Sequence, residues 1–211
     1  MTIDWNIILS AITICVALIA LRQTSQQIKL SNKQHLFDKR MENYLIAKGL
    51  IELYRGNSKE FDEEFDEVIL LISYYFILFT NNPYLEQIAP AINNTVEDPS
   101  RKKLLIKLEN LKDVATKIEF LFSDDVSGLL SNFVFCYQNL LFSMYKYQLI
   151  LDRVIKENAV NPMPIEKVSK KFGEEKYRAK LQKAFNDLKQ ADTMLIKENV
   201  EEKIKNQIKL Y

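Results

Sequence analysis

The chain has 211 residues, of which 47% are hydrophobic and 27% charged, and its 29 basic and 28 acidic side chains leave a formal charge of +1. A near-neutral chain gives no global electrostatic case for binding nucleic acid, so we expect no nucleic-acid partner. The sequence contains only 4 glycines and 5 prolines, which predicts few turns and long helices. Its two cysteines, one of them inside an apolar run, exclude a disulfide framework.

The first predicted element is a transmembrane anchor over residues 1–21. No charged residue occurs from Trp5 to Leu21, and such a run is just long enough to cross a bilayer, which takes about 17–25 helical residues. A cleaved signal peptide and a buried helix are the alternatives, but no basic residue precedes the run and it has almost no polar face. The residues that we assign to the anchor are Trp5, Ile8, Ile12, Val16, Ile19 and Arg22.

The charges on either side of this run predict its orientation. Asp4 precedes the run, and the basic residues that follow it are Arg22, Lys29, Lys33, Lys39 and Arg40. By the positive-inside rule, the chain is a single-pass protein of the cell membrane with its N-terminus outside and residues 22–211 in the cytoplasm.

The cytoplasmic part is predicted to be a helical stalk over residues 22–35 and a bundle domain over residues 36–211. The stalk is polar but has no glycine or proline to break a helix. An apolar stripe then marks a helix that Gly56 is expected to end as a C-cap glycine. A second helix is predicted over residues 58–80, with the apolar run "VILLISYYFILF" (68–79) buried in the core.

Three further helices complete the predicted bundle. One begins at Asp98 and Pro99, and the next is capped near Ser123 and Asp124. The last, over residues 174–209, carries a heptad pattern that offers a surface for coiled-coil self-association; its apolar positions are Tyr177, Leu181, Ala184, Leu188, Ala191 and Leu195. The predicted fold is thus all-α, with an N-terminal transmembrane helix that continues into a stalk and then an antiparallel bundle of about four long helices.

Residues suited to catalysis or metal binding are few. His35 is the only histidine and lies among polar stalk residues, and no glycine-rich phosphate loop is present. We therefore expect no cofactor. Two i,i+4 pairs of carboxylates could hold a hard cation with help from another helix, although acids also favour the first turns of a helix through its dipole. These candidate metal ligands are Glu60, Glu63, Glu64 and Glu67.

A basic run near the middle of the chain could contact anionic lipid head groups, since the anchor already holds the domain beside a negative leaflet. Its residues are Arg101, Lys102 and Lys103. A solvated helix face is the alternative interpretation.

The stretch "QTSQQIKLSNKQHLFDKRMENYLIAKGLIELY" (23–54) resembles a pattern in uncharacterised bacterial single-pass membrane proteins, in which an anchor and a Gln-rich stalk lead into an "LFDKR…Y" helix. The matching residues are Leu36, Phe37, Asp38, Lys39, Arg40 and Tyr44. The resemblance spans about residues 5–54 and implies a role in bacterial stress or phage defence, without any catalytic motif.

The sequence therefore favours a membrane-anchored cytoplasmic adaptor or sensor that acts through a protein partner or through self-association. Two alternatives stay open. One is a metal-dependent enzyme that uses the clustered carboxylates, and the other is an effector that perturbs the membrane.

Overall fold

The computed structural model describes residues 5–61, 67–93 and 98–209, except for the side chains of Trp5, Ile7, Ile8, Ala11 and Asp98. Every regular element in these ranges is helical, which confirms the all-α class. The α-helices are α1 (Trp5–Asn57), α2 (Ile72–Leu78), α3 (Asp98–Leu121), α4 (Asp125–Val160), α5 (Ile165–Phe172), α6 (Glu174–Lys197) and α7 (Val200–Ile208). Short 3₁₀ helices cover Ser58–Phe61 and Glu86–Ile92.

Helix α1 is one unbroken helix of 53 residues, which corresponds to a length of about 80 Å. Residues 22–35 lie inside it, as their lack of helix breakers predicts. Gly56, which we expected to end this helix in a left-handed conformation, lies within its last turn instead. Among the described glycines only Gly173 has a positive φ, of 64°.

Helix α4 is the centre of the bundle and packs against α3, α6, α5, α2 and α7. Its buried side chains include Leu130, Phe133, Tyr137 and Met144. A short loop joins α3 to α4, so these two helices are antiparallel, and α1 contributes only its C-terminal half to the core. The described helices thus form the helical bundle that the sequence predicts.

The second helix is much shorter than predicted. Instead of one helix over residues 58–80, the chain forms a 3₁₀ turn over Ser58–Phe61 and then α2 over Ile72–Leu78, while residues 67–71 are not helical. The buried members of the apolar run are Ile69, Ile72, Phe76 and Phe79, whereas Leu70, Leu71, Tyr74 and Ile77 are exposed. The expectation that the whole run lies in the core was wrong.

The predicted final helix over residues 174–209 is broken at Asn199, which adopts a left-handed conformation with a φ of 50°. The heptad positions Leu181, Ala184, Leu188, Ala191 and Leu195 are all buried, in a helix that packs mainly on α4. This face is used inside the chain and is not a surface for coiled-coil self-association.

The N-terminal part of α1 extends away from the core. Every described side chain from residue 6 to residue 36 is exposed, and packing against the bundle begins at Phe37 and Met41. We call residues 5–36 the N-terminal arm. Among the described residues, no helix combines the length and apolar character needed to cross a membrane.

Candidate functional site

The first part of the N-terminal arm presents apolar side chains in every direction. Ile12, Val16 and Ile19 share one side of the helix, because their spacing of four and three residues is one turn. Ile14, Leu18 and Leu21 lie on the opposite side. These six side chains are 55–67% exposed. An α-helix that is apolar all round normally lies in a protein core or in a membrane, and no described part of this chain covers it.

The arm is fastened to the bundle by Arg40, a residue of the "LFDKR" pattern. Its Nε donates a hydrogen bond of 2.7 Å to the Leu121 carbonyl, and its Nη1 donates one of 2.9 Å to the Gln207 carbonyl. These carbonyls belong to the last turns of α3 and α7, where unpaired oxygens and the helix dipole favour a cation. Arg40 therefore joins three helices at the point where the arm leaves the bundle.

Gln207 extends this junction to the loop between α3 and α4. Its side-chain oxygen accepts a hydrogen bond of 2.7 Å from the Ser123 N–H, and its Nε2 donates one of 3.1 Å to the Ser123 carbonyl. The next residue, Asp124, has a φ of 68° and a ψ of 177°, a strained backbone for any residue but glycine. Asp124 precedes α4 as predicted, but its side chain makes no capping hydrogen bond. The Gln207 pairing thus holds a strained loop against α7.

A second fastening lies near the C-terminal end of α1. The Nε of Arg55 is 2.8 Å from Asp192 Oδ1, and its Nη1 is 2.7 Å from Glu201 Oε1. Arg55 thereby ties α1 to α6 and α7. The two arginines are 15 residues apart in the sequence, about 22 Å along the helix, so the bundled half of α1 is fixed at both ends.

A buried polar cluster joins α4 to the start of α6. Glu174, at the start of α6, is fully buried. Its Oε1 accepts a hydrogen bond of 2.5 Å from the Tyr147 hydroxyl and lies 3.5 Å from Arg178 Nε, while its Oε2 accepts none. Burial raises the pKa of Tyr147, and the neighbouring carboxylate raises this pKa further. The same hydroxyl accepts a hydrogen bond of 2.9 Å from the Ile69 N–H, so this cluster holds the chain just before α2.

An exposed apolar surface lies beside that anchored segment. Leu70, Leu71, Tyr74 and Ile77 are 42–62% exposed. Tyr74 and Ile77 are three residues apart on one side of α2, and Leu70 and Leu71 lie in the turn that precedes it. We call these four residues the α2 patch. The Tyr74 hydroxyl donates a hydrogen bond of 3.3 Å to Glu60 Oε2, which fixes the ring at the edge of the patch.

A cavity of about 320 Å³ adjoins the patch at Leu70. Its other apolar wall residues are Val68 and Ile165. The charged side chains in its lining are Glu67, Glu166, Glu175, Lys170 and Arg178. Arg178 already contacts the buried Glu174, so negative charge predominates around this cavity.

The predicted metal ligands divide between described and undescribed parts of the chain. Glu63 and Glu64 lie outside the described residues. Glu60 is bonded to Tyr74, and Glu67 lines the cavity beside the patch. In the ranges that the structure covers, no group of three or more His, Cys, Asp and Glu side chains could hold a metal ion.

The predicted lipid-contacting residues lie far from the arm. Arg101, Lys102 and Lys103 are exposed in the first two turns of α3, about 30 Å along that helix from the Leu121 carbonyl that Arg40 binds. Of the predicted anchor residues, Ile12, Val16, Ile19 and Arg22 are exposed in the arm. The side chains of Trp5 and Ile8 lie outside the described part of the chain.

The remaining candidate residues agree with their plain interpretations. His35 is exposed in the arm, and Cys136 is buried in the core. Sequence reasoning missed Tyr147 and Glu174. No signal marked them, because a tyrosine in an apolar helical run indicates core and a glutamate in a first helical turn indicates favourable interaction with the dipole.

No protein-family model, curated protein or solved structure matches this chain.

Proposed function

We propose that this protein is a membrane-anchored helical adaptor, in which residues 5–21 of α1 lie in the bilayer and the bundle lies on the cytoplasmic face. The observation that carries the proposal is the N-terminal arm, whose apolar side chains are exposed on all sides of one continuous helix. On an insertion scale each Leu, Ile or Val contributes about −0.3 to −0.6 kcal/mol at the centre of a membrane helix. The nine such residues of this run together favour insertion.

The way the bundle is attached to α1 supports an adaptor. Because α1 continues without a break from the arm into the core, and because Arg40 and Arg55 fix its bundled half, the bundle is held rigidly on the arm. Polar residues 22–35 then act as a spacer of about 20 Å between the membrane and the bundle. A rigid spacer suits a protein that presents a binding surface at a set distance from the membrane.

The described carboxylates favour the adaptor over a metal-dependent enzyme. Glu60 accepts a hydrogen bond from the Tyr74 hydroxyl at the edge of the α2 patch, and Glu67 lines the cavity beside Leu70. Acidic groups around an apolar surface are typical of a polar rim at a protein interface.

The test is membrane fractionation of the full chain and of a double variant, Ile12→Lys with Val16→Lys. A lysine at the centre of a membrane helix costs about 2.5–3.5 kcal/mol, so this variant is expected to leave the membrane fraction. The matched control is Ile28→Lys with Leu30→Lys, which adds the same charge to the spacer and is expected to stay in the membrane.

A reporter fused after Tyr211 checks the orientation and should give a cytoplasmic signal. If the full chain is extracted from membranes by alkaline carbonate as readily as the Ile12→Lys and Val16→Lys variant, the anchor does not exist. An extracytoplasmic signal from the reporter contradicts the proposed orientation.

A further inference from the structure

We infer that the α2 patch, together with the cavity beside Leu70, is the docking site for a basic amphipathic helix of a partner protein. This inference deepens the proposed adaptor role by naming the chemistry of the partner, and it rests on that role. Leu71, Tyr74 and Ile77 recur every three residues and Leu70 is next to Leu71, so these four exposed apolar side chains are neighbours rather than scattered single residues. Continuous exposed apolar surface on a folded domain marks an interaction site.

The patch is held in a fixed shape before any partner binds. The Tyr147 hydroxyl binds the Ile69 N–H, so the turn that carries Leu70 and Leu71 is tied to α4. The Tyr74 ring is fixed through its hydroxyl by Glu60, and it contacts Tyr75 edge to face, with 5.7 Å between ring centroids. A surface whose side chains are already ordered loses less entropy when it binds a partner.

The shape of the patch suits a helix. Leu71, which immediately precedes α2, Tyr74 and Ile77 follow one another at intervals of three residues, so they form a ridge against which a second helix can pack. Leu70 adjoins this ridge in the turn before α2. A partner helix with apolar residues at i, i+3, i+4 and i+7 would cover such a ridge. The cavity beside Leu70 lies at the end of this ridge and has room for one long side chain.

The charges around the patch select a basic partner. Glu60 lies at one side of the patch, and Glu67, Glu166 and Glu175 line the cavity. Lys170 also lines the cavity, while Arg178 is directed to Glu174. A lysine or arginine on the partner can therefore place its aliphatic stem against Leu70 and its charge among these carboxylates.

The same charges argue against two other occupants. In a symmetric dimer the patch would face its own copy, so Glu60 and Glu67 of one chain would lie near the like charges of the other. The anionic cytoplasmic leaflet would likewise repel an acidic rim. A basic helix is the occupant that satisfies both the apolar ridge and the acidic rim.

The experiment measures binding of a synthetic peptide to the full chain in phosphatidylcholine nanodiscs, whose zwitterionic lipid does not attract the peptide by charge. The probe is a leucine–lysine amphipathic helix with leucines at i, i+3, i+4 and i+7, and the control peptide has glutamate in place of every lysine. We expect the lysine peptide to bind more tightly than the glutamate peptide. Binding of the lysine peptide should weaken as the salt concentration rises.

Two matched pairs of variants locate the site. Leu71→Gln is expected to weaken binding of the lysine peptide at least tenfold, whereas Ile196→Gln, which changes a side chain on α6 with the same 62% exposure, leaves it unchanged. Glu67→Gln with Glu175→Gln is expected to weaken binding, whereas Glu109→Gln with Glu119→Gln on α3 removes equal charge without effect. Ile77→Gln repeats the test should Leu71→Gln unfold the chain, which circular dichroism reports.

Three results overturn the inference: equal binding of the two peptides, binding of the lysine peptide that Leu71→Gln and Ile77→Gln do not weaken, and no binding at all. A change of oligomeric state caused by Leu71→Gln shows instead that a second copy covers the patch. Absence of a membrane anchor is detected independently of peptide binding, because a chain without an anchor does not enter the nanodiscs. In that case the peptide titrations are made on the same chain without lipid.

Discussion

The Tyr147 hydroxyl donates a hydrogen bond of 2.5 Å to the carboxylate of Glu174, which is fully buried at the start of α6. The two residues are 27 positions apart in the sequence. The Tyr147 hydroxyl also accepts a hydrogen bond from the Ile69 N–H. One side chain therefore connects α4, α6 and the turn that precedes α2. A buried carboxylate depends on such donors, because loss of one leaves charge in the core without compensation.

We predict that Tyr147→Phe lowers the free energy of unfolding by about 1–3 kcal/mol, since it removes the donor to Glu174 and leaves the Ile69 N–H without its acceptor. Urea unfolding of the full chain, followed by circular dichroism, measures this change. The double variant Tyr147→Phe with Glu174→Met removes the buried charge as well, and it should lose less stability than the two single variants together. Strict additivity of the two single changes would contradict the coupling.

The glycines give a second prediction. Gly173 has a φ of 64° and no neighbouring atom within 4 Å of where a Cβ would stand. Gly173→Ala should therefore lower the free energy of unfolding only through the cost of the left-handed backbone, by about 1–2 kcal/mol. Gly56 and Gly128 lie in helices with negative φ and the same open space, so Gly56→Ala and Gly128→Ala are expected to stabilise by about 0.5–1 kcal/mol. Thermal unfolding compares the three variants. Destabilisation by Gly56→Ala would restore the C-cap role that the sequence suggested.

Alkaline pH provides a third prediction, through Tyr137. Its hydroxyl donates a hydrogen bond of 2.7 Å to the Phe79 carbonyl, and complete burial raises its pKa well above the ordinary value of 10.0. Above pH 10.0 the unfolded chain loses this proton while the folded chain keeps it, so the stability falls as the pH rises. Tyr137→Phe should lower stability at neutral pH by about 1 kcal/mol through the lost hydrogen bond.

The slope of the unfolding free energy against pH, above the ordinary tyrosine pKa, tests whether Tyr137 causes this loss of stability. Urea unfolding at neutral and alkaline pH should show a shallower loss of stability for Tyr137→Phe than for the unchanged chain, because one raised pKa has been removed. Identical slopes for Tyr137→Phe and the unchanged chain would argue against this origin.

Local composition predicted those elements whose signals lie within a single helix. The absence of breakers between residues 5 and 48 predicts the unbroken α1, and the start of α3 at Asp98 follows from the Asp-Pro pair. The start of α2 could not be predicted in this way. The Ile69 N–H bonds to Tyr147, which is 78 residues away, and this tertiary contact holds residues 67–71 outside a helix although their composition favours one.

The break at Asn199 had a signal that sequence reasoning missed. Extending the heptad beyond Leu195 leads to Glu198, Glu202 and Lys205, all of them charged. The buried residues of α7 are instead Val200, Ile204 and Ile208, which follow a different register. A straight helix could not bury both sets on one side, so the chain turns at Asn199, a residue type that tolerates the left-handed conformation. The Tyr147–Glu174 cluster had no comparable signal.

The junction at Arg40 gives the last prediction. Arg40 donates hydrogen bonds to the carbonyls of Leu121 and Gln207. Arg40→Ala leaves these two helix ends without their donors and should lower the free energy of unfolding by about 1.5–3 kcal/mol. Amide hydrogen exchange should become faster at Ser123, whose N–H is bound by the Gln207 side chain, and through α7, because the junction is what holds these segments together.

Two comparisons separate the geometry of Arg40 from its charge. Arg40→Lys keeps the charge but replaces the planar fork by a single ammonium group, so it should recover only part of the lost stability. Lys39→Ala removes an adjacent cation whose partner Glu42 is exposed, and such pairs contribute about 0–1 kcal/mol. If Arg40→Ala and Lys39→Ala changed stability and exchange at α7 equally, Arg40 would be an ordinary surface charge and the arm would not be coupled to α7 through it.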